Sequence, residues 1–172
     1  EKNRKGKLAA YLSTEQHGKK YHYIYDHDRW TLVLDPQCYG DIVKSAYYKM
    51  AGTGKSQVEW KVNVETPGKY EVFAYLPDVE ATSARKVFIG GARLFYRVTS
   101  ADDITDVELF LDDEQPGWIS LGVFNFDRGE YSVFLSDRGG DSLSRENSDT
   151  RGWDGESVQF IFANAVKWVP VK

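Results

Sequence analysis

The stretch that decides the fold class is Gln57-Val-Glu-Trp-Lys-Val-Asn-Val-Glu65, in which polar and apolar residues alternate without a break. Successive side chains of a strand point to opposite faces of a sheet, so this pattern predicts a strand with one buried face. Thr66-Pro-Gly-Lys69 follows, and Pro and Gly are typical of the central positions of a turn. Strand-like residues resume over 70–76, so the segment predicts an antiparallel hairpin.

A second segment repeats this design. Strand-like residues over 118–126 lead into a turn at Asp127-Arg-Gly129, and residues 130–135 resume as a strand. The returning arm Gly68-Lys-Tyr-Glu-Val-Phe73 is echoed by Gly129-Glu-Tyr-Ser-Val-Phe134. We interpret the echo as a recurrence of turn chemistry in two hairpins, because the flanking sequences do not align as a duplicated domain would.

Strand patterns also cover much of the remaining chain, over 30–34, 86–89, 93–99, 107–111 and 158–169. No amphipathic helix of useful length separates them, so the sequence predicts an all-β fold, an antiparallel two-sheet β-sandwich of jelly-roll type. The residues expected to be mostly buried in it are Val58, Trp60, Val62, Tyr70, Val72, Leu121, Val133, Phe160 and Val166.

The length of 172 residues fits one domain, or one domain with an ordered arm. Residues 1–20 are strongly basic and lack β alternation, so they are predicted to be an arm or linker, with the β-sandwich over 21–172. The sequence begins at Glu1 without a Met or an apolar signal region. We therefore expect that a leader was removed or that the chain is part of a longer protein.

The composition excludes several classes of protein. A net charge of −4 disfavours binding to nucleic acid, and no apolar run approaches the length of a membrane span. The single cysteine, Cys38, excludes an internal disulfide and a cysteine-rich zinc site. Aromatic residues make up 15% of the chain, which favours β structure and is also common at sugar-binding and protein-binding surfaces.

The candidate metal sites are weak. His17, His22 and His27 are five residues apart. This spacing places consecutive histidines on different faces of a strand or helix, so they would not readily bind one metal ion. Two runs of acids lack an ordered calcium-loop motif, so we interpret them as solvated turns; they are Asp102, Asp103 and Asp106, and Asp112, Asp113 and Glu114.

The segment Ala51-Gly-Thr-Gly-Lys-Ser56 superficially resembles a phosphate-binding loop. Lys49 occupies the position where that motif requires its first glycine, and a strand follows in place of the helix. We interpret it as a Gly-rich turn. No nucleophile motif occurs either, so we predict no catalytic residue, no metal and no cofactor, and hence no enzyme.

The candidate ligand-binding residues centre on Trp153, in the long polar stretch over 137–156. An exposed ring there would stack on a sugar, with Arg151 and Asp154 binding its hydroxyls or a uronate. Equally, the ring would fold back as a lid over one end of the sandwich. Tyr39 and Tyr48 would complete a carbohydrate-binding surface if the fold brings them to the same end.

Several segments, in order and spacing, resemble the golvesin and xanthan-lyase C-terminal carbohydrate-binding-like domain family. They are Tyr39-Gly-Asp-Ile-Val-Lys-Ser-Ala-Tyr-Tyr48, Ala51-Gly-Thr-Gly-Lys-Ser56, Val58-Glu-Trp60, Pro67-Gly-Lys-Tyr-Glu-Val-Phe73, Gly117-Trp-Ile-Ser-Leu-Gly-Val-Phe-Asn-Phe126, Val133-Phe-Leu-Ser136 and Phe162-Ala-Asn-Ala-Val-Lys-Trp168. The sequence departs from the family pattern at Asn164, where an Asp is more typical, so any role of that carboxylate is in doubt here.

The resemblance implies a β-sandwich attached to secreted or surface proteins of polysaccharide-degrading bacteria, often behind a catalytic domain. We therefore expect a non-catalytic carbohydrate-binding-like accessory module of a larger secreted, periplasmic or cell-surface protein, with a polysaccharide or oligosaccharide as its partner. The alternative is a structural spacer or docking domain that packs against other domains of the parent protein. A third hypothesis is an enzyme that acts on carbohydrate, which would require converging acids, or a His beside them, in a concave site. The placement of Trp153, Trp118 and Tyr39 should distinguish the three hypotheses.

Overall fold

The computed structural model of this chain describes residues 29–77, 93–110, 115–139 and 160–171. These residues form ten strands and contain no helix long and apolar enough to cross a membrane. The strands are β1 (Thr31–Leu34), β2 (Ser45–Met50), β3 (Gln57–Val64), β4 (Gly68–Leu76), β5 (Arg93–Thr99), β6 (Ile104–Phe110), β7 (Gly117–Phe126), β8 (Gly129–Ser136), β9 (Phe160–Ala163) and β10 (Val166–Pro170). The all-β prediction is confirmed.

The strands form three antiparallel sheets, with the orders β1-β2-β9, β10-β4-β7 and β3-β8-β5-β6. Their buried side chains form one hydrophobic core to which all three sheets contribute, as expected for the predicted β-sandwich. The predicted basic arm at 1–20 and the strand predicted at 86–89 lie outside the described residues. The boundary between arm and sandwich therefore stays a prediction.

The single strand predicted over 158–169 is wrong, because the described part of this segment forms two strands. β9 pairs with β2, and β10 pairs with β4 after an interruption at Asn164 and Ala165. At the interruption, the backbone NH of Tyr75 donates to the Ala165 carbonyl at 2.9 Å, which begins the new pairing. The apolar pattern is continuous because both strands pack on the core, so periodicity alone does not show the change of partner.

Both predicted hairpins are also wrong. β3 and β4 follow each other closely but lie in different sheets, and so do β7 and β8. Each short connection carries the chain from one sheet to the other, and Gly68 begins β4 without the positive φ that the predicted turn requires. Each of these strands has one face on the core, and opposing sheets satisfy that requirement as well as a hairpin does.

The two inter-sheet connections lie side by side. β3 pairs with β8 from Gln57↔Ser136 to Val64↔Gly129, and β4 pairs with β7 from Gly68↔Phe126 to Leu76↔Gly117. The repeated sequences at Gly68 and Gly129 are thus two equivalent arches, each bridging the same two sheets. This arrangement explains the recurrence of turn chemistry without a duplicated domain.

The predicted core faces are correct, but the degree of burial varies. Val72, Leu121 and Val133 are fully buried. The other predicted core residues are partly exposed; they are Val58, Trp60, Val62, Tyr70, Phe160 and Val166. Trp60 is half-buried because β3 is an edge strand of its sheet, with β8 on one side only.

Candidate functional site

The predicted site residues fall into two groups. Trp153, Arg151 and Asp154 lie outside the described residues, so their role stays a prediction. Tyr39 lies in the connection between β1 and β2, and Tyr48 lies on β2.

Three aromatic rings meet on the outer surface of the β10-β4-β7 sheet. The centroid of Tyr39 lies 4.9 Å from that of Trp118 and 5.5 Å from that of Tyr75, and the Tyr75 and Trp118 centroids are 5.3 Å apart. These spacings and their tilted or edge-on geometries are those of favourable aromatic packing. We call this cluster of Tyr39, Tyr75 and Trp118 the aromatic face.

The strand register places two of these rings together. On β4, Val72, Ala74 and Leu76 are buried, so Tyr75 points to the opposite side of the sheet. Trp118 stands directly opposite Tyr75 in the antiparallel pairing with β7. Residues opposite each other project from the same face, and their rings therefore meet away from the core.

A lysine borders the aromatic face. Lys167 on β10 stands opposite Phe73 on β4, two positions before Tyr75. Its Nζ lies 4.2 Å from the Trp118 ring centroid and 4.9 Å from that of Phe73. Both distances are typical of cation–π contacts, which hold the ammonium group beside the rings.

The aromatic face presents polar groups to solvent. Tyr39 is 51% exposed, and Tyr75 and Trp118 are half-buried. Within the described ranges, the two tyrosine hydroxyls and the Trp118 indole NH make no hydrogen bond, and none of the three is a buried unpaired atom. The surface therefore combines flat apolar rings with unengaged hydroxyl and NH groups.

Tyr39 is held in place through the residue that departs from the family pattern. Its backbone NH donates to Oδ1 of Asn164 at 3.3 Å, which ties the β1–β2 connection to the β9–β10 interruption. The preceding residue, Cys38, is buried, and its NH donates to the Asp35 carbonyl at 3.0 Å. Burial raises the pKa of the Cys38 thiol, the nearby Asp35 raises that pKa further, and the adjacent Asn164 side chain opposes the rise.

We expect Asn164→Ala to lower the free energy of unfolding by about 1 kcal/mol, the net contribution of one intramolecular hydrogen bond. Because the change also releases Tyr39, it should weaken binding at the aromatic face. Asn164→Asp keeps an acceptor for the Tyr39 NH and should retain more stability than the alanine variant. Thermal unfolding of the three proteins compares them, and equal losses in both variants would contradict this role of Oδ1.

Tyr48 belongs to a different ring cluster. It lies in the β1-β2-β9 sheet, where its centroid is 5.9 Å from that of Phe160 and 6.0 Å from that of Phe162. Tyr39 instead packs on the rings of the β10-β4-β7 sheet. A single binding surface that includes both tyrosines stays a prediction.

The Gly-rich turn that resembles a phosphate loop surrounds a carboxylate of the protein itself. Nζ of Lys49 lies 2.7 Å from Oδ2 of Asp137, with both side chains almost fully buried. The Ser56 NH donates to Oδ1 of Asp137 at 3.2 Å, and the Gly52 NH donates to the Asp137 carbonyl. A Cβ at Gly52 would lie 2.3 Å from Oδ2, so only glycine fits beside this carboxylate. The turn thus has a structural role, because it surrounds and binds the buried Asp137 carboxylate.

The acids interpreted as solvated turns make local contacts where the structure describes them. Asp102 accepts a hydrogen bond from the Asn125 amide, and Asp103 accepts one from the Ile104 NH. Asp106 pairs with Arg97 at 2.7 Å, and the hydrogen bond from that guanidinium lowers the pKa of the carboxyl. Over the four described ranges, no group of three or more His, Cys, Asp or Glu side chains is arranged to hold a metal ion.

The sequence analysis named Tyr39 and Trp118 but missed Tyr75 and Lys167. The sequence did contain a signal for Tyr75. A strand with one buried face alternates apolar and polar residues, but residues 70–76 are apolar at almost every position, so the outward face also carries apolar side chains. Phe73 and Tyr75 place aromatic rings on the face opposite the core. The contact of Lys167 depends on the pairing of β10 with β4, which the sequence pattern does not reveal.

Comparisons with known proteins agree with this architecture. A family model described as the Golvesin C-terminal domain matches residues 22–144. Among solved structures, a xanthan lyase from Paenibacillus matches with a TM-score of 0.57 and 19% sequence identity. The match covers 84% of this chain but only 11% of the lyase chain, and at this identity it shows a shared fold alone. A comparison with curated proteins finds no match.

Proposed function

We propose that this chain, which belongs to the Golvesin C-terminal domain family, is a carbohydrate-binding module that holds a larger protein on a polysaccharide. Its family is one of C-terminal accessory domains and not of catalytic domains. The parent protein is proposed to act outside the cell, in keeping with the xanthan lyase whose fold the chain shares. Binding by such a module raises the effective concentration of polymer at a linked catalytic domain.

The observation that carries this proposal is the aromatic face. The C–H surface of a pyranose ring is apolar, and a solvent-facing aromatic ring removes it from water. The hydroxyls of Tyr39 and Tyr75 and the NH of Trp118 stand around the rings as hydrogen-bonding groups for sugar hydroxyls. Aromatic side chains together with a few polar groups are the usual lining of a small-molecule site.

The proposal is tested by affinity gel electrophoresis on a panel of plant and bacterial polysaccharides. Trp118→Ala is expected to weaken retardation by at least about tenfold, which corresponds to about 1.4 kcal/mol. Phe110→Ala is the matched control, because Phe110 is an exposed aromatic residue at the end of β6 in the opposite sheet, and its loss should leave retardation unchanged. Melting temperatures identify any variant whose fold has weakened.

Trp153→Ala belongs in the same experiment, since Trp153, with Arg151 and Asp154, is the binding site proposed from the sequence. Loss of retardation in Trp153→Ala but not in Trp118→Ala would move the site to the 137–156 stretch. Loss in both would indicate one surface that includes both segments. A wild-type protein retarded by none of the polymers would contradict carbohydrate binding.

A second candidate function, docking to another domain of the parent protein, has an observation of its own. Leu32 and Leu34 on β1 are 53% and 67% exposed, and Ile42 and Val43 in the following connection are 97% and 62% exposed. Several exposed apolar side chains on consecutive segments favour a protein–protein contact there. Leu34→Ser with Ile42→Ser should abolish binding to the rest of the parent protein, measured by calorimetry, without changing retardation by polysaccharide.

A further inference from the structure

We propose that Lys167 makes the aromatic face selective for saccharides that carry a carboxylate. The inference rests on the proposed carbohydrate-binding function and extends it to a class of ligand. It starts from the position of one charged group. The Lys167 ammonium lies over the rings of Trp118 and Phe73, so it is part of the surface that a bound sugar would contact.

Lys167 differs in its ion pairing from the basic residues on the strands of the β3-β8-β5-β6 sheet. On the β3-β8-β5-β6 sheet, Lys61, Arg93 and Arg97 each pair with an acid of a neighbouring strand, at 2.8, 3.0 and 2.7 Å. Within the described part of the chain, the amine of Lys167 makes no hydrogen bond or ion pair. Its cross-strand neighbour is the aromatic Phe73. Among the described residues, no acid therefore neutralises this cation.

Glu71, an acid on the same face of the β10-β4-β7 sheet, is hydrogen-bonded to a serine. Glu71 precedes Phe73 by two positions on β4, and its Oε1 accepts a hydrogen bond from the Ser120 hydroxyl at 2.7 Å. Across β10, Glu71 stands opposite Val169, two residues beyond Lys167. Within the described residues, Glu71 therefore makes no ion pair with the ammonium group, whose N–H donors are left for a ligand.

The chemistry of an ammonium group beside aromatic rings favours a carboxylate. The ring faces attract the cation on one side, but the group has three N–H donors, and those directed away from the rings require acceptors. A carboxylate oxygen forms a charge-assisted hydrogen bond with such a donor, which is stronger than one from a sugar hydroxyl. The whole chain carries −4, so its general field does not attract a polyanion, and selection depends on this local charge.

The test compares polygalacturonate with the same polymer after reduction of its carboxyl groups, by affinity gel electrophoresis at fixed ionic strength. The wild type should be retarded more strongly by the acidic polymer. Lys167→Met keeps an apolar stem but removes the charge, and should weaken retardation by polygalacturonate about tenfold, far more than it changes retardation by the reduced polymer. Lys167→Arg keeps the charge and should restore most of the preference.

Lys69→Met is the matched control. Lys69 is an exposed lysine on the same strand as Tyr75 but six residues away, about 20 Å along a strand. If Lys69→Met weakens retardation as much as Lys167→Met does, general charge explains the preference and the proposal is wrong. Equal wild-type retardation by both polymers overturns charge selection but leaves carbohydrate binding intact. Retardation by neither polymer overturns the selection too, while the wider panel separately tests carbohydrate binding.

Discussion

Replacing Lys49 with methionine is expected to lower the free energy of unfolding by about 3–5 kcal/mol, the typical cost of removing one partner from a buried ion pair. Nζ of Lys49 is the cation 2.7 Å from Asp137, and the two side chains are 6% and 4% exposed. Methionine fills a similar volume, so the change chiefly leaves a buried carboxylate without a counter-charge. Urea-induced unfolding measures the loss.

Two further variants isolate the charge. Lys61→Met removes the cation of an exposed pair with Glu130 at a similar N–O distance of 2.8 Å, and should change stability little because solvent screens that pair. Lys49→Met combined with Asp137→Asn removes both buried charges and keeps an acceptor for the Ser56 NH. This double variant should be more stable than Lys49→Met alone. Equal small losses in Lys49→Met and Lys61→Met would contradict a buried pair.

The Gly-rich turn around Asp137 shows how much of the structure could be predicted from the sequence. Lys49 occupies the position of the first glycine of a phosphate-binding loop, and this correctly argued against that motif. The sequence pattern does not show that Asp137, 88 residues from Lys49, supplies the carboxylate that lies against Gly52. A contact at this separation depends on which strands are neighbours, and local periodicity carries no information about that.

Strand positions were more predictable than strand partners for the same reason. Alternation identified the β3 strand, and the segment predicted at 93–99 matches β5 residue for residue. The turn residues at Gly68 and Gly129 correctly predicted reversals of the chain, but the predicted pairing of the flanking strands within one sheet was wrong. The arches use both reversals to connect opposing sheets.

The same limit applies to the candidate site. The sequence predicted Tyr39 only as a residue that would complete a surface centred on Trp153, and the structure places it in an exposed aromatic cluster. Its neighbours Tyr75 and Trp118 come from two strands that meet only through the β4–β7 pairing. A binding surface assembled from three separate segments is visible once the register is known.

Phe126→Ala is expected to destabilise the protein by about 3–5 kcal/mol, the usual cost of removing a buried phenylalanine ring. Phe126 ends β7, is 1% exposed and stands opposite Gly68 at the beginning of β4. Its ring packs edge-on against two others, with ring centroids 5.7 Å from that of Tyr70 and 4.9 Å from that of Tyr131. The ring therefore fills the core beside the arches, and its removal leaves a cavity between their strands. Thermal or urea-induced unfolding measures the effect, and Phe110→Ala, at a residue that is 44% exposed, should cost much less.

A double-mutant cycle makes this prediction specific to the arches. Tyr131 follows Phe126 by five residues, so the two rings would meet even across a simple hairpin. Tyr70 belongs to the other arch, and its contact with Phe126 exists because β4 pairs with β7. We expect Phe126→Leu and Tyr70→Leu to show a coupling energy of about 0.5–1.5 kcal/mol, as measured for packed aromatic pairs. If the two changes are additive, the rings do not interact, and the pairing of the two arches in the structure would be wrong.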